Sequence, residues 1–261
     1  MNQPKVLFYD IETAPMLGFV WKLWDNNIGL NQIHSDWYVL SWAAKWLDKK
    51  QVMYKDQKDE KDIENDINII KDMWELLDEA DIVVTYNGKK FDQKKLNTRF
   101  IVHGLKPPST YKHIDLYQLC KKHFGFTSNK LEYVTQKLNK KNKKSTHKNF
   151  PGFMLWSECL KRNPRAWKEM KKYNKLDVVS LEELYNILMP WDNTVNFNLY
   201  DEDATTICKC GSTEFRKKGF AYTNVSKFQR YICTKCGSNS RGRKNLFSKE
   251  KMQSLKTKIK G

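Results

Sequence analysis

The stretch KVLFYDIET, residues 5–13, decides the fold. Its run of apolar, β-branched and aromatic side chains has strand length, and it ends on two acids, Asp10 and Glu12. Strand side chains alternate between faces, so residues two apart project to the same side and these carboxylates lie close together. Like charges so placed repel unless a cation bridges them. Mg²⁺ and Mn²⁺ prefer such oxygen donors, which makes the pair a candidate metal site. A strand end pointing into solvent accounts for the same two residues without any ion.

Outward from this strand, Tyr38 to Ala44 and Gln51 to Tyr54 read as two more strands. Helical periodicity runs from Asp62 to Leu77 through Ile63, Ile67, Ile70 and Trp74, and a short strand follows at Ile82 to Tyr86. After the Asn87-Gly88 turn a helix spans Asp92 to Val102, closed by Gly104 and Pro107-Pro108. A strand at Tyr111 to Ile114 leads into the helix LYQLCKKHF, and Leu131 to Leu138 forms another. Residues 139–149, NKKNKKSTHKN, read as a polar, basic loop. Arg165 to Met189 is a long amphipathic helix stopped by Pro190. Three early strands followed by alternating strands and helices predict an α/β sheet with helices on both sides.

Asp92 opens its helix, where an acid has an ordinary role in capping and in meeting the helix dipole. Tyr173 and Asp177 stand four apart in the long helix and so share a face, near an apolar side made by Leu176, Val179 and Leu184. An Asp there is paired, exposed or metal-bound. Taken singly, none of these residues identifies a site.

Taken in order they do. Asp-x-Glu, then Asp, then Tyr-x3-Asp resembles the DEDD exonuclease superfamily, which has an RNase H-like mixed β-sheet flanked by helices. The resemblance is strongest to the proofreading domains of family-B DNA polymerases. YDIET at 9–13, YNGKKFD at 86–92 and YNKLDVVSLEELY at 173–185 are similar to the three motifs, and HIDLYQL at 113–119 and LEYVTQKL at 131–138 to intervening segments. Lys172 stands where the histidine form of the family carries His, so the resemblance is to the tyrosine subclass. It implies 3′→5′ removal of nucleotides from single-stranded or frayed DNA, with an RNA exonuclease or a non-catalytic binding protein on the same fold as alternatives. It implies that Asp10, Glu12 and Asp177 hold one Mg²⁺ or Mn²⁺, that Asp10 also contacts a second, and that Asp92 holds its hydration shell. Two ions ~4 Å apart stabilise the attacking and leaving oxygens of an in-line displacement. Tyr173 would orient the attacking water, since a phenol with an ordinary pKa near 10 is a poor base at pH 7.

Six cysteines are present. Cys120 and Cys159 stand alone in helical segments as packing residues. Cys208 and Cys210 form C-x-C-G, Cys233 and Cys236 form C-x2-C-G, and the twenty-two residues between the pairs suffice for a hairpin. Two close thiol pairs suit one tetrahedral structural Zn²⁺, with disulfides or free thiols as the alternatives. The segment, including QRYICTKCGSNSRGR at 229–243, resembles a zinc ribbon, although its first pair has one intervening residue where the usual knuckle has two. Phe215, Tyr222, Phe228 and Tyr231 interleave there with Arg216, Lys217, Lys218, Lys227 and Arg230, a pattern suited to nucleic acid.

Charge is uneven. From Ile207 onward eleven Lys and four Arg face only Glu214 and Glu250, a net +13 out of +17 for the chain. This points to a polyanionic partner engaged mainly by the C-terminal part, with a lysine-rich bias that merely keeps the chain soluble as the alternative. The family resemblance, not the charge, puts DNA ahead of RNA and implies replication or repair proteins as further candidates. Trp21, Trp24, Trp37, Trp42 and Trp46 are read as core, with base stacking as the other use of such rings. Lys89, Lys90, Lys94, Lys95 and Arg99 around the second motif form a solvated helix face or meet phosphates. No apolar run approaches a membrane span and no signal pattern opens the chain. The expected setting is the cytoplasm, a host's if the protein is phage-encoded. The expected division is an exonuclease domain over 1–191, a linker over 192–206, a ribbon over 207–247 and a basic tail over 248–261.

Overall fold

The computed structural model describes residues 4–24, 26–142, 149–200, 202 and 205–258. Pro4–Tyr185 form one compact unit, and the chain from Asn186 onward forms a second.

In the first unit, β1 (Val6–Thr13) is followed by the small hairpin of β2 (Leu17–Gly18) and β3 (Ile33–Ser35), then by β4 (Val39–Trp46) and β5 (Met53–Asp56). The chain continues through α1 (Ile67–Glu79), β6 (Ile82–Thr85), α2 (Asp92–Val102), β7 (Lys112–Asp115), α3 (Leu116–His123), α4 (Leu131–Leu138), α5 (Met154–Leu160) and α6 (Pro164–Leu188). The main sheet has the order β5-β4-β1-β6-β7. β4 and β5 run antiparallel to their neighbours, whereas β1, β6 and β7 are parallel. It is the RNase H-like mixed sheet that the motifs implied.

Both faces of the sheet are covered, and strand alternation sorts the side chains. Leu7, Tyr9 and Ile11 of β1 pack with Trp42 and Ala44 of β4 against Ile70, Met73 and Leu77 of α1 and Leu96 and Phe100 of α2. The opposite face of β1 presents Phe8, Asp10 and Glu12, next to Lys45, Ala43 and Ser41 of β4. α6 lies along this second face. Phe8 meets Tyr185 edge-on at 5.4 Å, and Lys45 pairs with Glu182 at 2.5 Å in a largely buried bridge. Leu40, Leu155, Cys159, Trp167 and Met170 form a further cluster beneath α5 and α6. The inner side of α6 is Asn174, Asp177, Val178, Leu181, Leu184 and Tyr185, at spacings of three and four. Leu176 and Val179, expected on it, are only half-buried.

Two further expectations are corrected. The helix expected from Asp62 starts at Ile67, because Asp66 is fully buried and committed elsewhere: it accepts from Val39 N at 2.8 Å and from Arg99 Nη2 and His103 Nε2, each at 2.6 Å. Arg99 is thereby removed from any phosphate-binding role. Trp42 is core, its indole donating to Ile69 O at 2.7 Å, but Trp21 and Trp24 of the β2–β3 hairpin are 98% and 80% exposed. Burial holds the thiols of Cys120 and Cys159 up, to about 11 and about 12, in keeping with a packing role. Of the basic loop, 143–148 lie outside the described residues.

The second unit holds the antiparallel sheet β10-β9-β8, formed by β8 (Phe215–Tyr222), β9 (Lys227–Cys233) and β10 (Asn239–Arg241), and a short helix α7 (Lys249–Ser254). The segment before it is tied in: buried Asp192 takes Lys209 Nζ at 2.5 Å, and Asn198 exchanges two hydrogen bonds with the backbone of Ile207.

Candidate active site and metal centres

β1 pairs with β6 only from Val6 to Phe8, while its ladder with β4 continues to Thr13. Beyond Phe8 the β6 side of the strand is open, at the carboxyl ends of the parallel strands, where sheets of this kind place their sites. The N–H of Ile11, released from the ladder, donates to Asp92 Oδ1 at 3.2 Å. Asp92, 5% exposed, therefore sits against the strand residue between Asp10 and Glu12.

Asp177 reaches the same place from α6. One carboxylate oxygen each from Asp10, Glu12 and Asp177 lies within 4.8 Å of the others. Asp177 is buried and the other two are half-buried. Oxygens that share an octahedral ion at 2.0–2.1 Å stand roughly 3–4 Å apart, so this all-oxygen donor set fits Mg²⁺ or Mn²⁺. Asp92 is outside this trio. Tyr173, one turn before Asp177, is half-buried and meets the ring of Trp156 edge-on at 6.4 Å. The negative field is felt nearby: Tyr9 is raised well above its ordinary value, first by burial and next by the charge of Asp92.

Several residues that the sequence did not single out shape this site. Asn174 is fully buried and donates from Nδ2 to Asp10 Oδ2 at 2.7 Å, while its Oδ1 accepts from Ser41 Oγ at 3.1 Å. Trp156 of α5 donates from Nε1 to Glu12 Oε2 at 3.2 Å. Each fixes one carboxylate through a neutral donor, which holds the acid in place without neutralising it. The spacing of Asn174, three before Asp177, places both on the inner side of α6, which marks burial but not this role.

The turn that presents Asp92 is built as closely. Asn87 adopts φ +66, and Gly88 lies against Thr85, where an added Cβ would be 2.3 Å from Oγ1 and 2.6 Å from Cβ. Asp115, at the end of β7, accepts from Asn87 N at 2.9 Å and Lys89 N at 3.3 Å, and also caps α3 through Tyr117 N and Gln118 N. One buried carboxylate thus joins β7 and α3 to the second motif. Of the lysines near this motif, Lys95 places Nζ 3.5 Å from the ring centroid of Trp37.

The four paired cysteines converge in the second unit, with one sulfur from each within 4.8 Å of the others. Cys208–Cys236 and Cys210–Cys233 are 3.5 and 3.6 Å apart. A disulfide requires about 2.05 Å, whereas sulfurs around a tetrahedral Zn²⁺ at ~2.3 Å stand ~3.8 Å apart. The donor set fits zinc. The shorter first pair closes its turn with Gly211 N to Cys208 O at 2.8 Å, where the second uses Gly237 N to Cys233 O at 3.0 Å. Both glycines have φ near +80 (79 and 76), a conformation that glycine adopts without strain. On the adjoining strands Lys227 stacks on Phe220 and Arg241 on Phe228, each 3.9 Å from the ring centroid.

A mixed sheet of this order, with clustered carboxylates on its central strand, defines an RNase H-like nuclease fold. The chain belongs to the RNase_H superfamily, whose family model matches residues 27–189. That match begins after Asp10 and Glu12, so their part in the site rests on the geometry above. No curated protein matches the chain in sequence. Among solved structures, the family B DNA polymerase from the hyperthermophilic archaeon Pyrobaculum calidifontis is similar with a TM-score of 0.50 and 16% identity. The alignment covers 72% of this chain and 25% of the polymerase, so the chain spans about a quarter of that protein, and the likeness is one of fold. Among the described residues no helix is long and apolar enough to cross a membrane.

Proposed function

We propose that the protein is a 3′→5′ exonuclease that hydrolyses phosphodiester bonds of single-stranded or frayed DNA by a two-metal-ion mechanism. The observation that carries this reading is the approach of Asp10, Glu12 and Asp177 to within 4.8 Å, with Asp92 bonded to the strand between the first two. The motif resemblance supplies the direction of digestion, and its likeness to polymerase proofreading domains puts DNA ahead of RNA.

Asp10, Glu12 and Asp177 would hold one Mg²⁺ or Mn²⁺, with Asp10 shared by a second and Asp92 taking its hydration shell. Such ions, when bound, supply Lewis-acid stabilisation of the reacting oxygens and an acidified water. Tyr173 orients the attacking water through its hydroxyl, with its ring steadied by Trp156. Asn174 and Trp156 keep Asp10 and Glu12 from turning away. Water adds to the terminal phosphorus and the bond to O3′ breaks, which leaves a 3′-hydroxyl and releases a nucleoside 5′-monophosphate. In the second unit Cys208, Cys210, Cys233 and Cys236 would hold one structural Zn²⁺, making 207–247 a basic ribbon joined by 192–206 to a nuclease domain of 1–191.

The test is digestion of 5′-labelled DNA and RNA oligomers in Mg²⁺ or Mn²⁺, with Asp10→Ala as control. A ladder shortening from the 3′ end of DNA, absent in the variant, is expected. Faster loss of RNA would reassign the substrate, and no digestion of either would leave only a nucleic-acid-binding protein.

A further inference from the structure

The outer side of α6 carries Arg165, Lys168, Lys171, Lys172 and Lys175, which fall on one arc of about 120° opposite Asn174 and Asp177. All five line an open groove of about 920 Å³, closed on another side by Phe150. Glu169 is the single acid on that lining. Among the described residues, none of the five basic side chains takes part in an ion pair. Lys168 stands three and four residues from Lys171 and Lys172, and Lys175 stands four and three from the same two. Like charges at these spacings destabilise a helix. A solvated helix face ordinarily mixes both signs and avoids that cost. Here the repulsion is concentrated along a concave surface, where one sign of charge raises the local concentration of a polyanion.

We propose that this groove is the track for the phosphodiester backbone of the substrate strand behind its 3′ end. From Arg165 to Lys175 the helix advances ~15 Å, long enough to meet several consecutive phosphates of one strand. The groove and the acidic site are carried by the same helix on opposite sides, so a strand held in the groove passes round α6 to bring its 3′ end to Asp177. This inference rests on the nuclease reading above and adds to it the part of the substrate that is held.

The test is equilibrium binding of a fluorescein-labelled oligothymidylate to the full-length protein without added divalent ion, followed by anisotropy as salt is raised. Lys168→Gln/Lys171→Gln/Lys172→Gln keeps helix propensity, and its thermal unfolding is compared with that of the parent. Each phosphate contact on a single strand contributes roughly 0.7 to the log–log salt slope, so the variant is expected to lose about 2 from that slope and at least about ten-fold in affinity at low salt. An unchanged slope overturns the proposal, as does an equal loss in Lys49→Gln/Lys50→Gln/Lys71→Gln, whose lysines lie outside the groove. A groove variant that binds the oligomer normally but no longer binds polyglutamate also overturns it, and assigns the groove to an acidic protein. Binding is read without cleavage. A protein that grips DNA here but digests nothing fails the nuclease reading alone, and one that digests with its slope unaltered in the variant fails this inference alone.

Discussion

Asn174 and Asp10, 164 positions apart in the chain, are joined by a 2.7 Å hydrogen bond from the amide Nδ2 to the carboxylate Oδ2. The same amide nitrogen approaches the Asp10 carbonyl at 3.3 Å, and its oxygen takes the Ser41 hydroxyl. Helix α6 is therefore keyed to both β1 and β4 at the level of the acids. The key is neutral, so it orients Asp10 without competing for its charge.

Removing this key while sparing the acids is expected to weaken metal use. Asn174→Ala leaves Asp10, Glu12 and Asp177 in the chain but frees Asp10 to rotate. Loss of groups that orient metal ligands typically costs 10–100-fold in affinity or activity. The expected result is a rise of that order in the Mn²⁺ concentration giving half-maximal DNA digestion, alongside a loss of about 1–3 kcal/mol in unfolding as buried Ser41 loses this acceptor. A variant with the parent's metal titration would show that Asn174 only packs.

Gly88→Ala tests the turn. The new Cβ would meet Thr85 Oγ1 at 2.3 Å and its Cβ at 2.6 Å, and Thr85 is itself buried and bonded to His113 at 2.8 Å. The neighbour has no free end to swing aside, so the loop itself must shift. A loss of about 1–3 kcal/mol in denaturant unfolding is expected, together with a fall in digestion rate as Asp92 is displaced from Ile11.

Stability is expected to decline in mild acid for a reason that lies at the sheet edge. Burial first, and then the charge of Lys89, push His113 down to about 4. In the unfolded chain the imidazole takes its proton near 6.5. Between these values the unfolded chain binds more protons than the folded one. The stabilisation from neutral His113 is thus fully present above about 6.5 and is lost as pH falls toward 4, on the order of 3 kcal/mol in all. His113→Gln should flatten that part of the profile in urea unfolding measured from pH 7 to pH 4. An equal slope in the variant would exclude His113 as its source.

Cys236→Ser addresses the sulfur cluster. With one of four thiolates gone, bound zinc is expected to fall from about one per chain to a small fraction, read by a colorimetric chelator after denaturation. Binding to a structural zinc site of this kind is worth about 10–16 kcal/mol at neutral pH, so the 207–247 segment should become sensitive to protease. The unit over Pro4–Tyr185 has its own core and should keep its unfolding transition.

What could be read from the chain follows from how local each determinant is. β1 is legible because a continuous apolar, β-branched and aromatic run ends on two acids within eight residues, and α2 because Asp92 and the closing Gly104 bracket it. The three motifs place the acids in order, and their meeting point needs only the sheet and α6. Asn174 was not legible as a positioning residue, since a buried amide has no meaning until Asp10 and Ser41 are brought opposite it. Trp156 lies in a seven-residue helix with no side-chain cap, too short for periodicity to reveal. The start of α1 is not legible locally, because Asp66 is held by Arg99 and His103, more than thirty positions away. Residue type alone puts Trp21 and Trp24 in the core, whereas the hairpin that carries them leaves both exposed.

Because α6 is a single uninterrupted helix of 25 residues, its two ends cannot be adjusted separately. Adding or deleting one residue between Trp167 and Asp177 would turn everything beyond it by about 100°. Asp177 would then no longer face β1 while Trp167 stayed packed, or the reverse. Length variation in homologous chains is therefore expected before Pro164 and after Leu188, with the span between them constant.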